Sequence, residues 1–369
     1  MKICYLASAA SVHTARWANY FSRQGHQVQI LSFEPAESVD ADVKVHRVGR
    51  HLPFKIHYLS CGRAVRSLLR EIRPDIFHAH YASGYATLGR LAGFHPYVVS
   101  VWGSDIFDFA QRSALHRRVL VENLNCAQRV CSTSQIMADE IRRLCPKEVI
   151  LTPFGVDCER FRPRPLRSNG CGELVIGVVK TLERNYGIEY LIRGFAIVSR
   201  RSRNQRKLRL MIVGKGSLLS SLQQLAGDLG VGAQTSFLGF VPHKKIPEIL
   251  DRFLVFVAPS SESESFGVAV IEASASGLPV VVSAIGGLRE VVKDRITGIL
   301  VPPRDPEAIA NALEELIDNE ALRFELGSNG RKFVLENYEW TENASRMERL
   351  YESLLVERGY LPVSSSASI

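Results

Sequence analysis

The stretch SESESFGVAVIEASASGLPVVVS (261–283) indicates the type of fold, because its pattern predicts a polar loop, then an apolar helix and then a buried strand. The run before it, LVFVAPS (254–260), is typical of another buried strand. Strand, loop, helix and strand in this order form the unit from which parallel sheets are built. Two acids stand out in it, with Glu264 in the loop and Glu272 two turns into the helix.

The same alternation of apolar runs and amphipathic helical segments extends over most of the chain. The predicted strands form two series: KICYLAS (2–8), QVQILSF (27–33), DIFHAHY (75–81), YVVSVWG (97–103) and RVCSTS (129–134), then LVIGVVK (174–180), LRLMIVG (208–214), TSFLGFV (235–241), LVFVAPS (254–260) and PVVVSAI (279–285). Helical periodicity lies between them, at Thr14–Arg23, Gly62–Ile72, Ile188–Ser199 and Pro306–Asp318. This order predicts parallel sheets covered by helices on both faces.

The two series meet at PFGVDCERFRPRPLRSNGCGE (153–173), whose prolines and lack of periodicity predict a linker. A chain of 369 residues is also too long for one typical core. We therefore predict an α/β fold of two doubly wound Rossmann-like domains that face each other across a cleft. The predicted parts are an N-terminal domain at 1–160, a linker and second domain at 161–345, and at 346–369 a helix that packs back on the N-terminal domain, followed by a disordered tail, SSSASI.

Composition limits the class of protein. The chain is 46% hydrophobic and 23% charged, as is typical of a soluble globular protein, and its N-terminal apolar run is too short for a signal peptide. The seven cysteines are scattered without a Cys-x-x-Cys pair, which favours reduced thiols in the cytoplasm. A net charge of +8 favours an anionic partner, which could be a nucleotide, a nucleic acid or an acidic membrane surface.

The two acids are candidate ligand-binding groups. In open α/β sheets, ligands bind at the carboxyl ends of the strands, where helix N-termini attract phosphate. Gly267 would let a phosphate approach the backbone, Glu272 could accept both hydroxyl hydrogens of a ribose, and Glu264 would face the group beyond the phosphates. Alternatively, Glu264 only interacts with the helix dipole and Glu272 is half-exposed. Because an unpaired buried acid is costly, the apolar neighbours of Glu272 favour a ligand.

PSSESESFGVAVIEASASGLPVVVSAIGGLREVV (259–292) resembles the signature of glycosyltransferase family 4, whose members are retaining enzymes of the GT-B architecture that use nucleotide sugars. The two spaced glutamates of that signature match Glu264 and Glu272. Further matching segments follow the family's order: GHQVQILS (25–32), PDIFHAHY (74–81), CSTSQIMADEI (131–141), PFGVDCERFRP (153–163), MIVGKGS (211–217) and FLGFVP (237–242). The resemblance thus covers most of the chain.

The resemblance implies a donor site in the second domain. Lys180 takes the place of a basic residue that holds the pyrophosphate, and Arg184 could supply the second charge, since Asn185 stands near where relatives carry a lysine. Alternatively, Arg184 is a solvated loop residue without a ligand. The other donor-binding residues that it implies are Gly214, Gly216, Phe240, Val241, Ser265, Phe266, Gly267 and Val268. The base is read through backbone groups, so UDP and GDP sugars are both expected donors.

The N-terminal domain would bind the acceptor. Ala10 and Ser11 stand where the family has a glycine-rich turn, and His13 stands where it often has histidine. Trp102 replaces a histidine that often contacts the sugar, in the segment SVWGSD that also contains Asp105. His80 lies nearer the end of its strand than His78, which makes it the better catalytic candidate, while packing explains His78.

No essential metal or other cofactor is expected. His78 and His80 share one strand face, but no third ligand is evident. Asp40-x-Asp42 has the form of a metal motif, but it lies in a loop after the second strand, where a turn explains it better.

A basic stripe recurs at helical spacing and consists of Arg63, Arg66, Arg70 and Arg73. Most such stripes are solvated helix faces. This stripe and RRSRNQRK (200–207) could also dock on an anionic membrane, where each basic side chain contributes about 1 kcal/mol. The partners expected are thus a UDP or GDP sugar and a lipid-linked acceptor, without nucleic acid, for a cytoplasmic enzyme that is peripheral on the inner face of the cell membrane.

The function that the resemblance implies is transfer of a sugar, with retention, from a nucleoside diphosphate sugar to an acceptor hydroxyl. The resemblance to this family also implies a role in bacterial polysaccharide or glycolipid biosynthesis. Two alternatives stay open: a nucleotide-sugar epimerase of the same architecture, and a non-catalytic nucleotide-sugar-binding protein.

Overall fold

The computed structural model describes residues 1–49, 57–164, 172–201, 207–262 and 264–359, with side chains from residue 61 onward in the second range. Most of the predicted linker's second half, most of RRSRNQRK and the tail SSSASI lie outside the described residues. The chain divides into two compact units. The first unit is Met1–Pro153 with Asn343–Ile369, and the second unit is Phe154–Glu342.

The first unit contains a parallel sheet of seven strands. In chain order these are β1 (Lys2–Leu6), β2 (Gln27–Ser32), β3 (Lys44–Arg47), β4 (Ile76–His80), β5 (Tyr97–Val101), β6 (Arg129–Ser132) and β7 (Val149–Leu151). They are arranged β3-β2-β1-β4-β5-β6-β7. The strand order reverses between β1 and β4, which is the point where doubly wound sheets bind ligands.

The second unit repeats this design with six parallel strands. They are β8 (Leu174–Val179), β9 (Leu208–Val213), β10 (Thr235–Gly239), β11 (Val255–Ala258), β12 (Val280–Ser283) and β13 (Ile299–Val301). Their arrangement is β10-β9-β8-β11-β12-β13, so the reversal lies between β8 and β11. The loops after these two strands therefore flank the expected ligand position.

Helices connect the strands and cover the sheets. The first unit has α1 (Val12–Arg23), α2 (His57–Ile72), α3 (Gly84–Ala92), α4 (Ala114–Cys126) and α5 (Gln135–Leu144). The second has α6 (Ile188–Arg201), α7 (Leu219–Asp228), α8 (Ile246–Leu250), α9 (Val268–Ala275), α10 (Leu288–Val291), α11 (Pro306–Asp318) and α12 (Glu320–Tyr338), and α13 (Trp340–Glu357) returns to the first.

Local chemistry explains where the helices begin. At α11, the Asp305 side chain accepts a hydrogen bond from the amide of Ala308 at 2.9 Å, and Pro306 occupies the first turn. A capping oxygen and a proline without an N–H both suit a helix start. The helix predicted at Pro306–Asp318 is confirmed with both of its bounds, and the cap explains its first residue.

Each unit has its own apolar core against its sheet. In the first, Val65, Leu69 and Ile72 of α2 are buried, so one face of this helix packs into the core. In the second, strands β8, β9 and β11 are buried among α6 and α11. The continuous apolar runs of these strands follow from burial on both sheet faces.

Three strands lie outside the predicted series, β3, β7 and β13. Each has three or four residues and lies at an edge of its sheet. Edge strands are often short, so they leave only a weak pattern in the sequence.

Candidate active site

The loops after β8 and β11 bring a cation and a carboxylate together. Lys180 follows β8 directly, and Nζ of Lys180 lies 2.6 Å from Oε1 of Glu264 in the loop after β11. Ser260 donates a hydrogen bond from Oγ to Oε2 of Glu264 at 3.0 Å. The Lys180 side chain is 24% exposed and that of Glu264 12%, so both groups are shielded but reachable. They line a small pocket with Ser260 and Gly267.

Two glycines fix the backbone of Glu264. The amide of Gly287 donates to the carbonyl oxygen of Glu264 at 2.7 Å. A Cβ at Gly286 would lie 2.3 Å from that same oxygen, so only glycine fits there, and its φ of +51° also suits glycine. The Gly-Gly pair of the signature thus holds the loop that carries the carboxylate.

Helix α9 begins beside this pair. It starts at Val268, because Gly267 has a φ of +111° and lies outside the helix as its N-cap. Ser265 and Val268 are half-buried next to the pocket. The Phe266 ring is buried and packs edge-on against Tyr338 at 5.4 Å, so only its backbone could serve a ligand.

The glycines of the GKGS segment lie against the Lys180 loop. A Cβ at Gly214, whose φ is +145°, would lie 1.8 Å from the carbonyl oxygen of Lys180. A Cβ at Gly216 would lie 2.3 Å from the carbonyl oxygen of Leu182. Both glycines therefore let the two loops pack closely, which places Lys180. Packing against the Lys180 loop is enough to explain both glycines. Nucleotide binding at Gly214 and Gly216 stays a prediction.

Arg184 lies in a short 3-10 turn, Arg184–Tyr186, and its side chain is exposed. Its carbonyl oxygen accepts a hydrogen bond from Ser261 Oγ at 3.0 Å, which ties the turn to the loop after β11. The ring of Tyr186 lies 4.2 Å from Nζ of Lys180 in a cation–π contact. The described geometry thus gives the turn a role in placing Lys180, while a phosphate contact of Arg184 stays a prediction.

Glu272 is paired with a residue that the sequence did not single out. Nε2 of His243 lies 2.6 Å from Oε1 of Glu272, and the carboxylate can only accept, so the imidazole N–H donates. The Glu272 side chain is 7% exposed and that of His243 39%. The premise that Glu272 is an unpaired buried acid is therefore wrong.

The segment FLGFVP leads from β10 to His243. Phe240 is 67% exposed, and Nζ of Lys215 lies 5.2 Å from the centre of its ring. Val241 is half-buried. An exposed aromatic ring beside a loop that packs on Lys180 is consistent with a nucleotide base here, which stays a prediction.

The first unit places its candidates at its own strand reversal, between β1 and β4. Ser11 caps α1, its Oγ accepting from the amide of Thr14 at 3.5 Å, and Ala10 is half-buried beside it. The ring of His13 lies 5.7 Å from that of Trp102. Ala10, Ser11, His13 and Trp102 therefore surround the carboxyl ends of β1 and β5.

His80 lies deeper than a surface catalyst would. It is 1% exposed, its ring lies 4.4 Å from that of Trp102, and its Nδ1 lies 3.2 Å from Oγ1 of Thr14. Burial, followed by the nearby His78 and His13, lowers the pKa of His80 well below its ordinary value. The imidazole is therefore neutral near pH 7.

His78 is a packed structural residue, as expected. Its Nδ1 lies 2.6 Å from the hydroxyl of Tyr351 on α13, and its Nε2 lies 2.8 Å from Oγ of Ser100. Burial lowers the pKa of His78 to about 3. The contact with Tyr351 attaches the C-terminal helix to β4.

Asp105 is 1% exposed and serves the loops around it. Its oxygens accept hydrogen bonds from the amides of Ala82 at 2.9 Å and Gly103 at 2.8 Å. Burial raises the pKa of Asp105, while these amides act in the opposite direction. The geometry accounts for Asp105 as a residue that holds two loops together, and contact with an acceptor stays a prediction.

Within the described ranges, no group of three or more His, Cys, Asp or Glu residues could hold a metal ion. Asp40 accepts from the Arg23 guanidinium at 2.8 Å, which agrees with a turn held by an ion pair. Among the helices that the structure describes, none is long and apolar enough to span a membrane.

Two doubly wound parallel domains form the GT-B fold, and a lysine–glutamate pair lies at the strand reversal of the second. The family model described as glycosyl transferases group 1 matches residues 167–333, and the model described as glycosyl transferase 4-like matches residues 2–134. The chain belongs to this family, the group 1 glycosyltransferases of family 4 type.

Curated relatives agree with this assignment. A D-inositol 3-phosphate glycosyltransferase of Corynebacterium jeikeium is 30% identical over 76% of this chain and 72% of that protein. A GDP-mannose-dependent alpha-(1-6)-phosphatidylinositol monomannoside mannosyltransferase of Mycolicibacterium smegmatis is 33% identical over 54% of both chains. An uncharacterized glycosyltransferase of Methanocaldococcus jannaschii is 35% identical over 49% of this chain and 45% of that protein. The chain thus spans about half the length of these last two relatives.

Solved structures show the same fold. Sucrose-phosphate synthase from Thermosynechococcus elongatus superposes with a TM-score of 0.82 at 22% identity, over 97% of this chain and 100% of that one. Anabaena HepE in complex with UDP and glucose superposes with a TM-score of 0.81 at 20% identity, over 96% and 100%. At these identities the likeness establishes the fold alone.

Proposed function

We propose that this glycosyltransferase moves a sugar, with retention, from a nucleoside diphosphate sugar to an acceptor hydroxyl. The observation that carries the proposal is the contact of Lys180 with Glu264 at the strand reversal of the second sheet. That position is where doubly wound sheets bind nucleotides, and it adjoins the first turn of α9. The UDP bound in the structurally similar HepE and the GDP-mannose dependence of the mycolicibacterial relative support a nucleotide-sugar donor.

The two side chains suit opposite parts of such a donor. Lys180 and the amides of the first turn of α9 would stabilise the negative charge that develops on the leaving diphosphate. Glu264 would accept hydrogen bonds from sugar hydroxyls and so orient the ring. In this scheme the departing phosphate takes the acceptor proton on the same face of the sugar, which gives retention, and Glu264 is not a nucleophile. No metal is needed for these steps.

The acceptor is proposed to be a glycolipid or polysaccharide precursor at an anionic membrane surface. The names of the inositol-linked relatives support a lipid or phosphate-bearing acceptor. Arg63, Arg70 and Arg73 are exposed on or just after α2, and the described residues show no ion pair to them. Arg66 differs, because its guanidinium donates to the carbonyl oxygens of Leu91 and Ala92 at the end of α3. Three guanidinium groups are therefore available for lipid phosphates.

One assay separates this function from its alternatives. The purified chain is incubated with a panel of UDP and GDP sugars and with lipid-linked sugar acceptors, with and without EDTA, while nucleotide release and the anomeric configuration of the transferred sugar are followed by NMR. We expect nucleotide release, a retained configuration and equal rates with EDTA. Isomerised sugar without release would indicate an epimerase, and donor binding without turnover would indicate a binding protein. A variant with both Lys180→Ala and Glu264→Gln is the control for contaminating activity.

A further inference from the structure

We infer that His243 is a positioning residue that holds Glu272 for the ribose of the donor and so makes the site prefer ribonucleotides over deoxyribonucleotides. The inference rests on the proposed nucleotide-sugar donor. It adds a residue from the short turn after β10, 29 positions away from Glu272 in α9, to the part of the site proposed to recognise the pentose.

The contact between the two side chains is short and directional. The N–H at Nε2 of His243 donates to Oε1 of Glu272 over 2.6 Å. Among the described residues no donor faces Oε2, and this oxygen is not one of the fully enclosed polar atoms that lack a partner. A carboxylate oxygen accepts from two directions, so Oε2 and the second lone pair of Oε1 are available to two hydroxyl groups. His243 therefore fixes Oε1 of Glu272, and Oε2 is able to accept a hydrogen bond from the ribose.

His243 is itself held in place from the opposite side. The guanidinium of Arg160 donates to the carbonyl oxygen of His243 at 2.6 Å, and the amide of Arg160 donates to Asp157 at 3.0 Å. The ring of Phe161 lies 5.7 Å from the imidazole. Because neighbouring residues hold both the backbone and the ring of His243, its hydrogen bond fixes the position of the Glu272 carboxylate.

A purely structural role for His243 predicts something different. If the imidazole only offsets the cost of burying Glu272, its loss weakens every nucleotide equally through the fold. If it orients the carboxylate, its loss removes mainly the benefit of the ribose hydroxyls. A site built to bond a hydroxyl discriminates against an analogue that lacks it, so the ratio of the two affinities reports on the orientation.

The test is calorimetric titration of the full chain with UDP and with 2′,3′-dideoxy-UDP, and with the corresponding GDP pair. We expect the unmodified protein to prefer the ribonucleotide by at least about tenfold, the size of one or two hydrogen bonds to a charged group. His243→Ala should lower ribonucleotide affinity about five- to tenfold and change dideoxynucleotide affinity less than about twofold. In turnover, the donor KM should rise while kcat changes little, because the ribose contact is equal in ground and transition states.

Three further variants sharpen the test. His243→Gln can place an amide N–H near the position of Nε2 and should restore the ribonucleotide preference, whereas His243→Asn is too short and should resemble His243→Ala. Lys244→Ala, an exposed neighbour in the same short turn, should bind like the unmodified protein. Equal losses for both nucleotides in His243→Ala and His243→Asn would overturn the inference alone. Failure of the unmodified protein to bind either ribonucleotide would overturn the proposed function and the inference with it.

Discussion

Nζ of Lys180 lies 2.6 Å from Oε1 of Glu264, although the two residues are 84 positions apart in the chain. The contact arises because β8 and β11 are neighbours at the strand reversal of the second sheet, so that the loops after them meet. In the proposed complex Lys180 contacts the diphosphate of the donor, while Glu264 contacts the hydroxyl groups of the sugar. Substitutions of the two residues should therefore have different effects on nucleotide binding and on turnover.

Lys180→Ala is expected to lower kcat/KM about 10²- to 10³-fold, the usual effect of removing one group that stabilises a developing oxyanion. Lys180→Arg keeps the charge and should retain activity within about tenfold, since it preserves a phosphate-binding cation. Steady-state kinetics with the preferred donor measure both. Activity of folded Lys180→Ala within about twofold of the unmodified rate would rule out this role.

Glu264→Gln should separate catalysis from nucleotide binding. We expect kcat to fall at least about 100-fold if the carboxylate orients the sugar in the transition state. The affinity for UDP or GDP should stay equal or increase, because Lys180 no longer shares its charge with a carboxylate. Calorimetry and initial rates on the same preparation give the two values. A parallel fall in nucleotide affinity and kcat would mean that Glu264 serves the diphosphate.

Gly214→Ala tests how the Lys180 loop is placed. The added Cβ would meet the carbonyl oxygen of Lys180 at 1.8 Å, and a φ of +145° is unfavourable for alanine. We expect a loss of about 2 kcal/mol or more in the free energy of unfolding, together with loss of activity. Gly227→Ala in α7 is the matched control, because its Cβ would meet nothing within 4 Å. It should be neutral or stabilising by up to about 1 kcal/mol. Similar unfolding curves for both variants would contradict this account.

The alternation of apolar runs predicted the two parallel sheets because strands buried on both faces need continuous apolar sequence. It also placed Lys180 and Glu264 at or just after the ends of two predicted strands. The two side chains come into contact because these strands, β8 and β11, are neighbours in the sheet. The partnership of His243 with Glu272 left no such signal, since a hydrogen bond between a short turn and a helix 29 positions further along the chain has no periodic pattern. The same holds for Tyr351, which contacts His78 from 273 positions away.

The buried histidines of the first unit should make stability depend on pH. His78 has its pKa lowered to about 3, so the fold favours the neutral ring, whereas the unfolded chain binds a proton near the ordinary value of about 6.5. The contribution of the neutral His78 ring to the free energy of unfolding is complete above about pH 6.5. It is lost as the pH falls toward 3, at up to about 1.4 kcal/mol per pH unit, and His80 acts in the same direction.

Urea unfolding at pH 7.5, 6.5 and 5.5 measures this dependence. His78→Gln should reduce the slope between pH 6.5 and 5.5, while His95→Gln, a variant of an exposed histidine, should leave it as it is. A free energy of unfolding that is constant over this range, or a slope that His78→Gln does not change, would show that these rings are not held neutral by the fold.

The exposed arginines of α2 predict binding to anionic membranes. The double variant Arg63→Glu and Arg70→Glu should reduce partition onto phosphatidylglycerol vesicles about 10- to 30-fold, from roughly 1 kcal/mol per basic side chain. Sedimentation with vesicles measures it. The charge-matched control replaces Arg193 of α6 and Lys332 of α12 by Glu, both exposed in the second unit. Equal losses in the two double variants would show a general charge effect and no dedicated helix face.

The most direct test of the central claim is a crystal structure of the chain with UDP or GDP soaked in. We expect the diphosphate within hydrogen-bonding distance of Lys180 Nζ and the first turn of α9, and the ribose hydroxyls on Oε2 of Glu272. Nucleotide density elsewhere on the protein, with the loops after β8 and β11 closed over that position by their own side chains, would contradict the account.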